Sequence, residues 1–165
     1  MADLMQKLND DLKQSMRDRN ELKTSTLRLL ISAIKYAELR KQDAEFNKQP
    51  ELTDLKGITL TEADILGVIA KEIKQREDSI EAFKKGNRQD LVDKESAEMA
   101  ILKTYMPQQL THDEIAIEAK QTIVEVGAKG PSDKGKVMSK LMAKLKGKAD
   151  GKEINNIVTN LLNSM

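Results

Sequence analysis

The sequence contains no cysteine and no tryptophan, and only two phenylalanines and two tyrosines among its 165 residues. Without cysteine, neither a disulfide framework nor a thiolate metal site can form. The most apolar run, at residues 29–34, is far shorter than the roughly 20 residues needed to cross a bilayer. The N-terminus also lacks the apolar core of a signal peptide. These absences predict a cytoplasmic protein that does not enter a membrane.

Leucine, isoleucine, alanine, methionine, lysine and glutamate are abundant, which is the composition of helices that pack through aliphatic side chains. We therefore expect an all-α protein without strands. Apolar residues spaced three and four apart predict long amphipathic helices in the first two thirds of the chain. These helices are predicted up to about residue 19 and at 24–42, 61–86 and 89–105. In the first helix, apolar residues step by four at Leu4, Leu8, Leu12 and Met16. Thr61 and Asp64 begin the third helix with a spacing that resembles a capping box. The intervening segment 43–60 loses this periodicity, contains Pro50 and Gly57, and is predicted to be a loop.

One charged residue interrupts the apolar stripe of the third helix. Arg76 lies on the same helical face as Ile73 and Ile80. An unpaired charge at such a position would be costly, because burial removes its hydration. We therefore predict that Arg76 has a carboxylate partner, and that this partner is Glu38.

A second domain is predicted after Pro107, which stops the fourth helix. The chain then divides into an N-terminal domain at 1–106 and a C-terminal domain at 107–165. Thr111 and Glu114 have the spacing of a capping box and begin a fifth helix. Together with a helical hairpin further on, this helix makes a three-helix unit, the minimum that can enclose a small core.

The hairpin at the C-terminus contains a turn crowded with lysines. We call residues 144–152 (Lys-Leu-Lys-Gly-Lys-Ala-Asp-Gly-Lys) the basic turn. Glycine is favoured where a helix ends in a left-handed residue, and aspartate can cap the start of the next helix. The residues predicted to shape the turn are Gly147, Asp150 and Gly151. In the helix before the turn, lysines spaced by four form a stripe on the side away from the apolar face; this lysine stripe is Lys136, Lys140 and Lys144.

The positive charge of the chain is concentrated in this hairpin. The formal net charge is only +1, but residues 127–165 contain eight lysines and three carboxylates, or +5, which leaves −4 for residues 1–126. A local positive field recruits polyanions. The candidate nucleic-acid-binding residues are Lys136, Lys140, Lys144, Lys146, Lys148 and Lys152. Lysines also commonly coat the solvated face of an amphipathic helix, and the residue pattern alone leaves both interpretations open.

Residues that could carry catalysis or bind a metal are scarce. The single histidine, His112, lies in the first turn of the fifth helix, where a solvated surface position is expected. No second histidine or cysteine can complete a zinc set, and the sequence motifs of nucleotide binding and acyl transfer are absent. We therefore assign no catalytic residue, no metal ligand and no cofactor.

The C-terminal residues resemble a known family. The segments 135–138 (Gly-Lys-Val-Met) and 146–151 (Lys-Gly-Lys-Ala-Asp-Gly) are similar to the signature of the YqeY family. They are also similar to the homologous tail domain of GatB, the B subunit of glutamyl/aspartyl-tRNA amidotransferase. Further matches to the family are residues 29–38, residues 71–79 and their continuation to 105–110. The GatB tail usually has Asn and then Pro where this chain has Asp150 and Gly151, so the resemblance to YqeY is closer.

The resemblance implies an N-terminal helical domain followed by a GatB-tail-like three-helix domain. It also implies a non-catalytic accessory protein that binds tRNA or is associated with it. No arginine follows Arg88 and aromatic residues are few, so the shape and phosphates of a folded RNA would be recognised rather than its bases. One alternative is a protein–protein adaptor that binds the amidotransferase or another protein. A second alternative, suggested by family membership alone, is a component of carbon–nitrogen ligase activity with glutamine as amido-N-donor.

Overall fold

A computed structural model describes residues 2–165 of the chain. The regular secondary structure of these residues is entirely helical, which confirms the predicted all-α class. The α-helices are α1 (Ala2–Arg17), α2 (Glu21–Lys48), α3 (Glu62–Lys85), α4 (Gln89–Lys103), α5 (His112–Glu125), α6 (Lys134–Lys144) and α7 (Gly151–Asn163), and a 3-10 helix spans Pro131–Asp133. Within this described range, no helix combines the length and the apolar character that a membrane span requires.

The chain divides into two compact units, Met1–Met106 and Pro107–Met165. The first unit contains α1 to α4, and the second contains α5 to α7. Each unit has its own cluster of buried aliphatic side chains.

The core of the first unit consists mainly of leucine and isoleucine. The stripe of leucines predicted for α1 is buried at Leu4 and Leu8. The other buried side chains of this core are Leu27, Leu30, Ile31, Ile34, Leu60, Ile65, Ile69, Leu102 and Tyr105. Burial of each such side chain contributes roughly 1.5–3 kcal/mol of transfer free energy. Tertiary burial therefore stabilises these helices more than their intrinsic propensity does.

The second helix is longer than predicted, because α2 continues to Lys48 instead of ending near Gln42. The following loop returns alongside it. Lys41 Nζ donates to the carbonyl oxygen of Thr59, and Gln42 Nε2 donates to that of Ile58, each at 3.0 Å. These contacts support the last turns of α2. The spacing of one apolar stripe did not predict this end of the helix, because apolar side chains also occupy its outer face.

Arg76 is buried and has carboxylate partners, as predicted, but the choice of Glu38 is wrong. Arg76 Nε donates to Glu98 Oε2 at 3.2 Å, and Arg76 Nη1 donates to Glu72 Oε2 at 2.9 Å. Glu38 instead accepts a hydrogen bond from the backbone N–H of Leu60 at 3.2 Å. Glu98 reaches Arg76 because α4 packs along α3, a contact that sequence periodicity does not specify.

Both predicted capping boxes are confirmed. Thr61 and Asp64 exchange hydrogen bonds at the start of α3, and Thr111 and Glu114 do so at the start of α5. The backbone N–H of Thr61 and the ammonium group of Lys41 lower the pKa of Asp64 from 3.8 to about 2. Because this pKa is lower in the folded state, the stabilisation is present above the ordinary pKa and is lost as the pH falls towards 2.

The three helices of the second unit enclose a smaller core. Its fully buried members include Ile115 of α5, Leu141 of α6 and Val158 of α7, one from each helix. The remaining buried side chains are Ala119, Ile123, Ala128, Val137, Leu145, Ile154, Ile157 and Leu162. Gly127 has φ +66° and lies just beyond the end of α5, where the sequence predicts a helix stop. This core fixes the orientation of the hairpin that carries the lysines.

Candidate nucleic-acid interface

The hairpin formed by α6 and α7 presents an apolar face to the core and its lysines to solvent. Val137, Leu141 and Leu145 are buried, as their spacing predicts. Residues 145–150 connect the end of α6 to the start of α7. All six candidate lysines are exposed. The burial of one face therefore orients the charged groups outward.

The basic turn is held in place by the residues that precede α5. The backbone N–H of Leu110 donates to the carbonyl oxygen of Lys148 at 2.8 Å. Gln109 Nε2 donates to the carbonyl oxygen of Gly147 at 2.8 Å and also to that of Pro107 at 2.9 Å. Two consecutive carbonyl groups of the turn are thus fixed by one short segment. The backbone that carries the lysines of the turn is therefore fixed.

Asp150 caps α7, as predicted, by accepting a hydrogen bond from the backbone N–H of Lys152 at 2.8 Å. That N–H is therefore already engaged by the protein. Glu153, three residues after Asp150, lies with Oε1 3.5 Å from Nδ1 of the exposed His112. This contact links the start of α7 to the start of α5.

Gly151 lies in the first turn of α7, where it was predicted. A Cβ atom at this position would lie 3.3 Å from Met142 Cε. Met142 has the spacing of the apolar face of α6, but it is 41% exposed. The absence of a side chain at Gly151 lets Met142 lie over the start of α7, partly in solvent.

Gly147 has φ +77°, a left-handed conformation that is strained for a residue with a Cβ atom. We expect Gly147→Ala to lower the free energy of unfolding by about 1 kcal/mol, measured by urea denaturation. The matched control is Gly135→Ala in α6, where a Cβ atom would meet nothing within 4 Å and alanine favours the helix. Equal losses in both variants would show that the conformation of Gly147 is unimportant.

Two of the candidate lysines already have an intramolecular partner. Glu125, at the end of α5, lies 2.8 Å from Lys140 Nζ and 3.0 Å from Lys144 Nζ. Hydrogen bonds from Lys140 and then Lys144 lower the pKa of the Glu125 carboxyl group. Lys136 Nζ lies 3.9 Å from Asp133, at the outer limit of an ion pair. The lysine stripe is therefore largely balanced by carboxylates of neighbouring elements.

The other three lysines have no such balance. Lys146, Lys148 and Lys152 are exposed, and within residues 2–165 none of them forms an ion pair. Successive members of this group are only two and four positions apart around the basic turn. The strongest unbalanced positive charge of the second unit therefore lies at the turn and not along α6.

Sequence reasoning missed Gln109, Leu110 and Glu125. The first two belong to the segment 105–110 that carries the family resemblance, so their presence was noted but their contact with the turn was not. Glu125 was missed because only carboxylates within the hairpin were considered as partners. Its position at the end of α5 gives no local signal for a contact with Lys140.

In the described part of the chain, no group of three or more histidine, cysteine, aspartate or glutamate side chains is arranged to hold a metal ion. His112, predicted to be a solvated surface residue, has a side chain that is 68% exposed.

Comparison with known proteins gives a match over nearly the whole chain. A family model described as "Yqey-like protein" matches residues 5–162. This range includes α2 to α6 in full and every candidate lysine.

The chain is also similar to proteins named "Altered inheritance of mitochondria protein 41, mitochondrial". It is 35% identical to the protein of Lachancea thermotolerans over 132 residues, which are 79% of this chain and 63% of the relative. With the protein of Vanderwaltozyma polyspora it shares 35% identity over 60% of this chain and 46% of the relative. With that of Saccharomyces cerevisiae it shares 36% identity over 67% and 52%, respectively. The matches thus span about half to three fifths of the length of these relatives.

These names contradict the cytoplasmic location that we predicted from the sequence, and that prediction is wrong. The prediction rested on the lack of cysteine and of a long apolar run. Neither absence distinguishes one aqueous, reducing compartment from another.

Proposed function

Because the chain belongs to the Yqey-like protein family, we propose that it is a tRNA-binding accessory protein whose basic turn holds the phosphate backbone of the RNA. The resemblance of residues 135–138 and 146–151 to the tail of the tRNA amidotransferase B subunit supplies the RNA class. In that tail, the implied role is recognition of tRNA during amidation. The chemistry of the basic turn supplies the mode of binding.

The observation that carries the proposal is the presence of three exposed, unpaired lysines on a turn with a fixed backbone. Lys146, Lys148 and Lys152 have their ammonium groups available to phosphate oxygens. The contacts of Gln109 and Leu110 with the turn reduce the conformational entropy that binding would otherwise cost. A phosphate backbone needs cations at separated points, and this arrangement provides them.

Lys140 and Lys144 have a secondary role in this proposal. A phosphate would have to compete with Glu125 for both of them. They therefore contribute to affinity only as far as the RNA displaces that carboxylate. The proposal accordingly ranks Lys146, Lys148 and Lys152 above the lysine stripe.

Recognition would depend on the shape of a folded RNA. The second unit contains no arginine, tryptophan, phenylalanine or tyrosine, so it has neither the planar guanidinium groups nor the aromatic faces on which unpaired bases stack. Lysine ammonium groups act as point charges and read no base edge by paired hydrogen bonds. Helical tRNA backbone fits this chemistry better than an unstructured strand does.

Filter binding of the full chain to total tRNA at two salt concentrations tests the proposal. With three phosphate contacts, each contributing a slope of roughly 0.9, affinity is expected to fall about fortyfold between about 50 mM and about 200 mM salt. Contacts from all six lysines would give a much steeper fall. Single-stranded poly(U) is the matched polyanion, and we expect it to bind more weakly than tRNA. Salt-independent binding, no binding, or equal binding of poly(U) would refute the proposal.

A further inference from the structure

The long helix α2 has apolar side chains on two opposite faces. Its inner face is buried in the core through Leu27, Leu30, Ile31 and Ile34. Its outer face exposes a second series of large apolar side chains, which we call the outer stripe. The outer stripe consists of Leu22 (37% exposed), Leu29 (57%), Tyr36 (64%), Leu39 (58%) and Phe46 (43%). A series of large exposed apolar side chains along one helix face is typical of an interaction surface, whereas scattered apolar residues are not.

The members of the outer stripe follow a seven-residue spacing. Leu22, Leu29 and Tyr36 are seven residues apart, and so are Leu39 and Phe46. Seven residues of a straight α-helix fall about 20° short of two full turns, so the stripe winds slowly around α2. A second helix that supercoils around the first follows such a stripe, with knobs at the a and d positions of a heptad. From residue 22 to residue 46, the stripe is roughly 36 Å long at 1.5 Å per residue.

Cations line the middle of the outer stripe. At roughly 100° per residue, Arg28 and Lys35 lie along one side of it and Arg40 along the other. All three are exposed. Among the described residues 2–165, none of them pairs with a carboxylate: Arg28 contacts Met16 Sδ at 3.3 Å, and the Arg40 guanidinium lies 6.0 Å from the Tyr36 ring centre. The stripe is therefore an apolar series with positive edges at its centre, interrupted at the remaining heptad positions by Ser25, Ser32 and Asp43.

We propose that the outer stripe of α2 is the docking site for an acidic amphipathic helix of a partner protein. The apolar seam takes the leucine-rich face of that helix, and carboxylates on its flanks meet Arg28, Lys35 and Arg40. Charges at these flanking positions set partner choice in helix pairs more than they set raw affinity. The site lies in the first unit, whereas the proposed RNA contacts lie in the second.

A second copy of this chain fits the site less well. In an antiparallel pair of α2 helices centred on the stripe, the same edge of each copy faces the other, so Lys35 of one copy lies close to Lys35 of the other. In a parallel pair, Lys35 of one copy flanks Arg40 of the other. Either arrangement brings like charges together, which costs free energy. A flat lipid surface also fits less well, because the seam winds around the helix and a plane meets only part of it.

The probe for this proposal is a synthetic helical peptide of about four heptads, with leucine at a and d and glutamate at e and g. Its glutamates repel one another, so the peptide remains unpaired until it meets a basic seam. The control peptide has lysine in place of each glutamate. Isothermal titration with the full chain is expected to show binding of the acidic peptide at least about tenfold tighter than that of the basic peptide.

Two variants locate the binding. Leu29→Ser with Leu39→Ser replaces two exposed apolar side chains at the centre of the seam. This double variant is expected to bind the acidic peptide about tenfold or more weakly. Arg28→Glu with Lys35→Glu and Arg40→Glu is expected to reverse the preference, so that the basic peptide binds more tightly. A reversal cannot arise from partial unfolding, which weakens both peptides alike. Retained tRNA binding by both variants would show that the two surfaces act independently.

Other occupants would appear as distinct results. A concentration-dependent dimer in sedimentation analysis that Leu29→Ser with Leu39→Ser abolishes would replace the proposed partner with a second copy. Sedimentation of the chain with vesicles containing anionic phosphatidylserine, lost in the same variant, would replace it with a lipid surface. If neither peptide binds, or if both bind equally, the proposal is overturned.

Discussion

Replacing Glu98 with alanine is expected to lower the free energy of unfolding by about 3 kcal/mol. Glu98 and Arg76 are both buried, with side chains only 8% exposed, and the carboxylate accepts from Arg76 Nε at 3.2 Å. Removing the carboxylate leaves part of a buried guanidinium group without its partner. The loss falls at the lower end of the range for broken buried pairs because Glu72 still holds Arg76 Nη1 at 2.9 Å.

Urea denaturation followed by circular dichroism measures this loss as a shift in the transition midpoint. The double variant Arg76→Met with Glu98→Leu serves as the matched control, because it removes both charges and leaves nothing unpaired. We expect it to recover most of the lost stability, since buried pairs are often replaceable by apolar residues of similar volume. If Glu98→Ala lowered the free energy of unfolding by less than about 1 kcal/mol, the buried pair would not be important for stability.

The second large effect concerns RNA. Changing Lys146, Lys148 and Lys152 together to glutamine is expected to weaken tRNA binding about a hundredfold near 0.1 M salt and to flatten the salt slope by about three. The reason is that these ammonium groups are the unbalanced cations of the basic turn. Filter binding against salt concentration gives both quantities from one series.

The matched control changes three exposed lysines of the first unit, Lys84, Lys94 and Lys103, to glutamine. It alters the net charge by the same amount, but none of these lysines belongs to the basic turn. Affinity should then change by less than about threefold, since only long-range charge is altered. Equal losses in the two triple variants would mean that general charge, and not the turn, attracts the RNA.

Glu125→Gln is expected to act in the opposite direction. It removes the carboxylate that holds Lys140 and Lys144, so two more cations become available to phosphate. We expect tRNA to bind severalfold more tightly, with a salt slope steeper by up to about two. An unchanged slope would show that the lysine stripe takes no part in binding even when it is released.

Local features of the fold were predictable because a few neighbouring residues determine them. The capping boxes at Thr61 and Thr111 and the left-handed Gly147 each depend on residues within one helical turn. The end of α2 was not predictable in this way. The end of this helix depends on contacts with a loop more than ten positions further along the chain. In addition, α2 has apolar residues on two faces, so a pattern with one apolar stripe does not show where it ends.

Ion-pair partners were likewise predictable only where neighbouring residues determine them. The need for a carboxylate beside Arg76 follows from its place on an apolar face, but the identity of Glu98 depends on how α3 and α4 pack. Likewise, the lysines of the hairpin were evident, whereas their division into paired and unpaired groups depends on Glu125 of α5. A charge count along the chain gives the size of a local field but not the intramolecular neighbours that cancel it.

The hydrogen bonds from Gln109 and Leu110 impose a condition on any isolated version of the C-terminal unit. A fragment that began at Thr111 would keep every helix and every lysine of that unit. It would nevertheless lose the two donors that fasten the carbonyl groups of Gly147 and Lys148. Excision at the start of α5 would therefore leave the backbone of the basic turn less restrained, and weak RNA binding by such a fragment would reflect where it was cut.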